Sequence, residues 1–252
     1  MSQLHRTRRS PLVQAALNGR ITRIDHPAAP MTADDFVRDA IAVVAAGAGA
    51  IHLHPRDLAG AETVDPTIVN DLVARVKNEA GVPVGITTGE WIEPDRERRL
   101  AHIRGWTTPD YASVNLSEDG AMQAMEALLA AGVGIEAGLA TVADAELLAG
   151  SGFADRVTRI LVEPYAADHD NDVPAVLTTA HEIHATLDRH GITAPRLQHS
   201  EGPAAWPLLR DALARGFDTR IGLEDTDRDP SGNAVTGNAS LVAAAISIRD
   251  NT

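Results

Sequence analysis

The stretch GAGAIHLHPRD at Gly47–Asp57 carries two histidines at alternate positions of a short apolar run. Alternate side chains of a β-strand point to the same face, so His52 and His54 project together while Ile51 and Leu53 face the other way. Neutral imidazoles held side by side are good ligands for zinc or a similar divalent ion. The alternative interpretation is a strand end with two histidines satisfied by ordinary hydrogen bonds.

The alternation of strand and helix around this stretch recurs along the chain. Apolar runs of strand length precede helical patterns eight times, with no low complexity and no linker long enough to divide domains. Such alternation is typical of α/β folds, and eight units favour a closed (β/α)8 barrel, the TIM barrel. A doubly wound open sheet is the alternative, although Asn18-Gly19-Arg20 lacks the glycine pattern of a dinucleotide fingerprint.

The apolar and turn patterns predict the bounds of each element. The predicted strands are Val13–Leu17, Ala50–His54, Val84–Thr87, Tyr111–Leu116, Val133–Ala137, Val157–Val162, Arg196–His199 and Asp218–Leu223. The predicted helices are Ala33–Ala46, Pro66–Asn78, Arg96–Ile103, Gly120–Ala131, Val142–Leu148, Pro174–His190, Trp206–Ala214 and Leu241–Ile248. We expect residues 11–252 to form one catalytic domain and residues 1–10 to form a mobile basic arm.

Composition limits the classes of protein and of site. The chain has 252 residues, a net charge of −13 and no cysteine. The negative charge argues against general binding to nucleic acid or to an anionic membrane surface. Without cysteine, a metal must be held by His, Asp or Glu. The sequence has no signal peptide and no run long enough to cross a bilayer, so we expect a cytoplasmic enzyme.

Polar residues gather where the predicted strands end, which is where barrels carry their functional groups. They are Asn18, His52, His54, Thr87, Thr88, Asn115, Ser117, Glu136, Glu163 and His199, although Leu197 leaves the facing of His199 open. On the last strand, Arg220 and Glu224 share one face beside Asp225. This set is typical of an active-site mouth, and the alternative is an inward polar layer filled by water and ion pairs.

A catalytic metal on His52 and His54 needs a third protein ligand and an open position. In a closed barrel the last strand lies beside the first, so Glu224 can reach across the mouth. Zinc suits two imidazoles and one carboxylate best, and nickel, cobalt, iron or manganese are alternatives. His181 and His184, one helical turn apart, are expected to be solvated and not to bind metal.

These motifs resemble the β-keto acid cleavage enzymes, whose namesake is 3-keto-5-aminohexanoate cleavage enzyme. The resemblance covers nearly the whole chain and rests on HPAAPMT at His26–Thr32, AGAGAIHLHPRD at Ala46–Asp57, ITTGE at Ile86–Glu90, SVNLSEDG at Ser113–Gly120, GIEAGL at Gly134–Leu139 and RIGLEDT at Arg220–Thr226. It implies a zinc-dependent (β/α)8 barrel that reacts a β-keto acid with acetyl-CoA. The products are acetoacetate and a new CoA thioester, and a homotetramer is implied.

The resemblance also implies roles for individual residues. The implied zinc ligands are His52, His54 and Glu224, and the implied catalytic residues are Arg220, Asp225 and either Thr87 or Thr88. The substrate-binding candidates are Asn18, Asn115 and Glu136. Asn18 stands where the namesake has a glutamate that suits an amino-bearing substrate, so the accepted side chain stays open.

The same residues permit two other functions. Zinc beside an arginine would also stabilise an enolate, which permits a metal-dependent aldolase that acts on a keto acid without CoA. A metal-free barrel that binds a small molecule is the alternative outside enzymes. A requirement for acetyl-CoA and the formation of acetoacetate would distinguish these functions.

Overall fold

The chain folds into a closed barrel of eight parallel strands surrounded by helices. The structure is a computed structural model, and it describes residues 9–165 and 172–252. Each strand pairs with its neighbour in sequence, and the last pairs with the first, which confirms the (β/α)8 barrel. The strands are β1 Val13–Ala16, β2 Ala50–Leu53, β3 Val84–Thr87, β4 Tyr111–Asn115, β5 Gly134–Leu139, β6 Arg159–Val162, β7 Arg196–Gln198 and β8 Asp218–Ile221.

In the part of the chain that the structure describes, eight helices cover the outside of the barrel. They are α1 Ala33–Ala45, α2 Pro66–Ala80, α3 Arg96–Arg104, α4 Ala121–Ala131, α5 Val142–Gly150, α6 Val173–Arg189, α7 Ala205–Arg215 and α8 Asn238–Asp250, and a 3₁₀ turn at Gly202–Ala204 precedes α7. Thr32 and Asp35 form a capping box that starts α1, and Asp65 and Asp95 cap α2 and α3. Within the described ranges no helix has the length and apolar character needed to span a membrane.

Three strand bounds differ from the prediction in ways that matter for function. β2 ends at Leu53, so His54 is the first residue past the strand. β8 ends at Ile221, so Glu224 lies in the following loop rather than on the strand. β5 runs on to Leu139 because parallel pairing with β6 continues through Val162, so the prediction that Glu136 ends this strand is wrong.

The register of the strands decides which side chains face the barrel interior. Gln14 of β1 donates hydrogen bonds to the Tyr111 hydroxyl and to Glu136 Oε1, across the barrel. Gln14 pairs with Arg220 and Ala16 pairs with His52, so Arg220 and His52 share the inward parity. The intervening side chains face outward, where they form a continuous apolar layer with the helices.

The lower half of the barrel is closed by buried ion pairs. The Arg159 guanidinium contacts the Glu136 carboxylate, and it lies 3.7 Å from Asp218 Oδ2. Arg9 reaches Asp218 from outside with two hydrogen bonds of 2.9 Å. The predicted mobile arm, residues 1–10, lies outside the described residues except for Arg9 and Ser10, and its mobility stays a prediction.

Candidate metal centre and active site

Three potential metal ligands converge at the mouth of the barrel. Donor atoms of His52, His54 and Glu224 all lie within 4.8 Å of one another. Glu224 Oε1 is 3.5 Å from His54 Nε2 and 3.9 Å from His52 Nε2. The three residues predicted as ligands are therefore brought together, although they come from opposite ends of the sequence.

Close backbone packing places these ligands. Asn18 donates from Nδ2 to the His54 carbonyl and accepts from the His54 amide, both at 2.9 Å, so it fixes the end of β2. Gly19 adopts a φ of +48°, and a Cβ there would collide with the Glu224 side chain. A Cβ at Gly222 would likewise collide with the Ala16 backbone. Asn18 thus positions a metal ligand, and its predicted contact with substrate stays a prediction.

Asn238 is a second positioning residue, and no sequence pattern pointed to it. Its Nδ2 donates to the Leu17 carbonyl at 2.7 Å and to Asp39 Oδ2 at 2.6 Å, while its Oδ1 accepts from the Leu223 amide at 2.7 Å. Leu17 and Leu223 directly precede Asn18 and Glu224. The fully buried Asn238 side chain therefore ties the end of β1 to the loop that carries a ligand.

Glu62 orients the His54 ring. His54 Nδ1 donates to Glu62 Oε1 at 2.5 Å, because a carboxylate can only accept, and this leaves Nε2 directed at Glu224. Trp91 Nε1 donates to Glu62 Oε2 at 3.2 Å, and the Trp91 ring stacks on the His54 ring with 6.3 Å between the ring centroids. Burial opposes charge on His54, but the carboxylates of Glu224 and Glu62 outweigh it and raise the pKa of His54.

The remaining two ligands also suit a divalent ion. Burial lowers the pKa of His52 well below its ordinary value and keeps the imidazole neutral, the form that binds metal. Burial alone would raise the pKa of Glu224, but Arg220 and the two histidines lower it well below its usual range, so it is ionised. Glu224 Oε2 is buried without a hydrogen-bond partner in the described part of the chain. An ionised carboxylate with a spare oxygen beside two imidazoles is a donor set that fits zinc.

Arg220 joins the metal ligands to a second carboxylate. Its Nη2 donates to Glu224 Oε1 at 2.7 Å and to Asp225 Oδ1 at 2.8 Å, and its Nε donates to Asp225 Oδ1 at 3.2 Å. Burial opposes the charge on Arg220, but Asp225 and Glu224 outweigh it and raise the pKa of Arg220 well above its ordinary value. Asp225 Oδ2 has no hydrogen-bond partner among the described residues. This carboxylate therefore keeps one oxygen free to accept a proton.

His199 and Glu163 extend the cluster away from the metal ligands. Leu161 pairs with Leu197, so both share the inward parity, and His199 and Glu163, two residues further along, face the mouth. His199 Nε2 donates to Glu163 Oε2 at 3.2 Å, and its Nδ1 lies 3.5 Å from Asp225 Oδ1. The sequence alone did not decide whether His199 faces the barrel interior, and the strand register shows that it does.

The two threonines after β3 differ in their contacts. Thr87 shares the inward parity of Gly85, and its hydroxyl oxygen accepts from the Gly89 amide at 3.1 Å. The Thr88 hydroxyl instead donates to the Ser113 carbonyl at 2.7 Å. Parity favours Thr87 as the residue that reaches the mouth, and the catalytic role expected for either threonine stays a prediction.

The family model for beta-keto acid cleavage enzyme matches residues 11–252, which is almost the whole chain. The chain belongs to this family. Its members are named for the cleavage of β-keto acids, and this membership confirms the resemblance carried by the sequence motifs. No curated protein matches this sequence in a direct comparison.

Solved structures of ObcA share the fold of this chain. The apo structure has a TM-score of 0.70 and 18% identity and covers 88% of this chain and 61% of ObcA. The ternary complex with a C4-CoA adduct and oxalate has a TM-score of 0.68 and 17% identity, and it covers 88% of this chain and 63% of ObcA. The binary complex with oxaloacetate has a TM-score of 0.67 and 17% identity, and it covers 89% of this chain and 67% of ObcA. This chain therefore spans about three fifths of the length of ObcA.

The other two predicted substrate-binding residues of this chain lie at different depths in the barrel. Asn115 ends β4 and lines a small cavity at the mouth, where its Nδ2 donates to Glu118 Oε1 at 2.8 Å. Glu136 lies below, enclosed by Arg159 and Gln14, and is not brought to the metal ligands. The mouth therefore joins a candidate metal site, an arginine–aspartate pair and a cavity beside them.

Proposed function

We propose that this protein reacts a β-keto acid with acetyl-CoA and releases acetoacetate and a new acyl-CoA. The observation that carries the proposal is the convergence of His52, His54 and Glu224 with the Arg220–Asp225 pair at one barrel mouth. Family membership supports the substrate class. The complexes of ObcA with oxaloacetate, itself a β-keto acid, and with a CoA adduct support both reactants.

We propose zinc as the metal, held by His52, His54 and Glu224. Two imidazole nitrogens and one carboxylate oxygen are a common catalytic zinc set and leave a position open for substrate. When bound there, zinc would polarise the ketone oxygen of the substrate as a Lewis acid.

The protein's own residues handle the proton and the charge. The carbon between the ketone and the carboxylate carries the most acidic C–H of a β-keto acid, and a base within hydrogen-bond reach is needed to remove that proton. Asp225 Oδ2 is the base, because it is buried and has no hydrogen-bond partner among the described residues. Arg220 holds the other Asp225 oxygen and stabilises the negative charge that develops on substrate oxygen.

The reaction then balances without another reactant. The carbanion attacks the acetyl thioester carbonyl and expels the CoA thiolate. The thiolate attacks the ketone, and the bond between the α and β carbons breaks in a retro-Claisen step. The leaving acetoacetate carbanion takes the proton back from Asp225, and the acyl group remains on CoA. Thr87 is the candidate contact for the substrate carboxylate on the strength of its inward parity.

The first experiment tests the need for CoA. Purified zinc-loaded protein should consume a β-keto acid only when acetyl-CoA is present and should form acetoacetate and acyl-CoA in equal amounts. Cleavage without acetyl-CoA would overturn the proposal and favour a metal-dependent aldolase. Binding of the acid with no turnover under any condition would favour a small-molecule binding protein.

The metal assignment has a test of its own. Elemental analysis should find one zinc ion per chain, and the His52→Ala/His54→Ala double variant should lose both the ion and the activity. Full zinc retention in the double variant would show that the ion sits elsewhere. Another divalent transition metal at full occupancy would keep the site and correct the identity of its ion.

The catalytic pair is tested with the metal in place. Arg220→Ala and Asp225→Asn should keep zinc and near-normal substrate affinity while kcat falls about a thousandfold or more. The double variant should be little worse than either single variant, because the two residues act as one unit. Unchanged turnover in Asp225→Asn would remove Asp225 as the base.

We also propose a cytoplasmic homotetramer. Fully exposed apolar side chains at Ile24 and Leu58, on the loops after β1 and β2, support burial in a subunit interface. Light scattering of the purified protein should give a mass of about four chains. A monomeric mass across the working concentration range would contradict this assembly.

A further inference from the structure

His199 is a buried ionisable side chain at the mouth that takes no part in the proposed reaction. It comes directly after β7, and its side chain is 3% exposed. Its backbone amide donates to the Val162 carbonyl at 3.1 Å, which continues the pairing of β6 and β7 by one residue. His199 is therefore fixed at the mouth by the same ladder of hydrogen bonds that builds the barrel.

Two carboxylates face the His199 ring, one at each nitrogen. Nε2 donates to Glu163 Oε2 at 3.2 Å, and Nδ1 lies 3.5 Å from Asp225 Oδ1. Because an ionised carboxylate can only accept, both ring nitrogens carry a hydrogen and the ring is an imidazolium. Burial and the charge of Arg220 oppose charge on the ring, but the two carboxylates outweigh them and raise the pKa of His199.

His199 Nδ1 is buried and has no hydrogen-bond partner within residues 9–165 and 172–252. Asp225 Oδ1 lies within ion-pair distance of it, but 3.5 Å is longer than the about 2.7–2.9 Å of a hydrogen bond between charged groups. Contacts of this kind are often long in a site without substrate and shorten when substrate binds. The free nitrogen therefore indicates a contact with Asp225 that closes during the reaction.

Hydrogen bonds hold the loop after β7 against its neighbours on both sides. The Gly202 amide donates to the Asp225 carbonyl at 2.7 Å. The Ser200 hydroxyl donates to the Pro164 carbonyl, in the loop after β6, also at 2.7 Å. The loop that begins with His199 is thus tied to both segments whose carboxylates its ring contacts.

Arg220 divides its hydrogen bonds between two carboxylates. Its Nη2 donates to both Glu224 Oε1 and Asp225 Oδ1, so a shift toward the metal ligand would loosen its hold on Asp225. Rotation about the Cβ–Cγ bond of Asp225 exchanges its two oxygens, and each cation on Oδ1 opposes that rotation. His199 brings a second cation to Oδ1 from a different strand end. With Oδ1 held twice, Oδ2 stays the free oxygen.

We propose that His199 is a positioning residue for the base: with its ring oriented by Glu163, it holds Asp225 Oδ1 and keeps Oδ2 free for the substrate proton. This inference rests on the proposed function, in which Asp225 removes that proton. His199 acts through Asp225 and not on the substrate. Its loss should therefore slow proton removal and leave substrate affinity and zinc content unchanged.

Two substitutions separate the contacts of the ring. The amide nitrogen of asparagine takes the place of Nδ1, and that of glutamine takes the place of Nε2. His199→Asn therefore keeps a donor for Asp225, whereas His199→Gln keeps only the donor for Glu163. A displacement of about 1 Å can cost about 100-fold in rate, so His199→Gln should lower kcat about 100-fold and His199→Asn at most about fivefold. KM should stay within about twofold in both variants. A loss in His199→Asn as large as that in His199→Gln would overturn the inference.

Further variants separate positioning from a general loss of structure. His190→Gln removes an exposed imidazole that also pairs with a carboxylate, that of Glu146, and should change neither kcat nor KM. Glu163→Ala releases the other side of the His199 ring and should lower kcat about tenfold, which keeps the test open if His199→Gln does not fold. In an Asp225→Asn background, His199→Gln should change the residual turnover by less than about twofold, because no base is left to position. A second large loss in that background would overturn the inference.

Proton exchange keeps the test independent of the complete reaction. In D2O and without acetyl-CoA, zinc-loaded protein should exchange the α-protons of a β-keto acid faster than buffer does, as followed by NMR. His199→Gln should slow this exchange about 100-fold and His199→Asn at most about fivefold. That pattern would support the role of His199 even if acetyl-CoA is never consumed, a result that would remove only the proposed function. Equal exchange rates in the three proteins, or no exchange above buffer, would overturn the inference even if the condensation proceeds.

Discussion

Glu62 should tune the metal site through His54, and replacing it gives a measurable loss of metal affinity. Its carboxylate is the acceptor for His54 Nδ1 at 2.5 Å, and it holds the ring so that Nε2 points at Glu224 Oε1, 3.5 Å away. Without that acceptor the ring can rotate or change tautomer, and the ligand nitrogen becomes less basic. The expected effect is weaker zinc binding with little change in the fold.

The structure indicates the size of the loss. The side chains of His54 and Glu62 are only 5% and 13% exposed, so solvent screens their interaction weakly. Loss of a carboxylate that supports a metal-bound histidine typically lowers affinity about 10- to 100-fold, which is about 1.4 to 2.7 kcal/mol. Glu62→Gln keeps an acceptor oxygen and should lie near the lower value. Glu62→Ala removes the acceptor and frees Trp91 Nε1, so it should lie near the higher value.

The assay is competition for zinc against a chromophoric chelator at one fixed pH, because zinc binding to histidine releases protons. Glu182→Gln is the control for the change in net charge. Fluorescence of Trp91, which stacks on His54, gives an independent signal of zinc binding. Thermal unfolding of the metal-free variants shows whether the fold is kept. Equal zinc affinity of Glu62→Gln, Glu62→Ala and the control would refute the reasoning that Glu62 orients a ligand.

Two further predictions concern buried ionisable groups away from the mouth. Burial lowers the pKa of His184 from 6.5 to about 4, so the unfolded chain alone gains a proton as the pH falls through this range. This histidine should cost about 2 kcal/mol of stability between pH 7 and pH 5, and His184→Gln should remove that loss in urea unfolding at the two pH values. Glu136→Gln, which leaves the buried Arg159 with only the more distant carboxylate of Asp218, should lower stability by about 3 kcal/mol with kcat/KM per folded molecule within about twofold. A raised KM with unchanged stability would instead support the predicted substrate contact of Glu136.

The two-residue alternation of side chains along each strand predicted the parts of the site that lie on strands. His52 faces inward because its strand pairs in register with β1 and β3, and the same rule brought Arg220 to the interior. The eight strand–helix units were also readable, because each strand is a short apolar run and each helix has its own apolar stripe. These features depend on local patterns, which a single sequence displays.

Contacts made by loops and by tertiary packing could not be predicted from the sequence. Glu62 lies eight residues beyond His54 in a segment with no period, and it reaches the ring because Glu62 forms an isolated bridge with Arg56. The prediction that His184 is solvated is wrong, because α6 turns this face toward β7, where the ring stacks on Phe217 and donates to Gln198 Oε1 at 2.8 Å. A helical stripe shows that a face is buried only when its residues are apolar, and this one contains a histidine.

The structure extends β5 to Leu139, beyond its predicted end at Ala137, and this places Glu136 deeper in the barrel than predicted. The depth of a residue in the barrel decides whether its side chain meets other interior residues or reaches the mouth. Glu136 pairs with Arg159 in the ladder, so its carboxylate meets a guanidinium fixed by the same strands, and this interior pair closes the barrel. Two residues later, Gly138 occupies the next inward position and leaves space at the mouth. A side chain at that level would fill the small cavity at the mouth that Asn115 and Glu163 line, and the acidic group that borders this cavity is Glu163, the first residue after β6. The shift of one inward position along β5 therefore places the charge of Glu136 in a structural ion pair, and the residue that follows β6 provides the charge at the mouth instead.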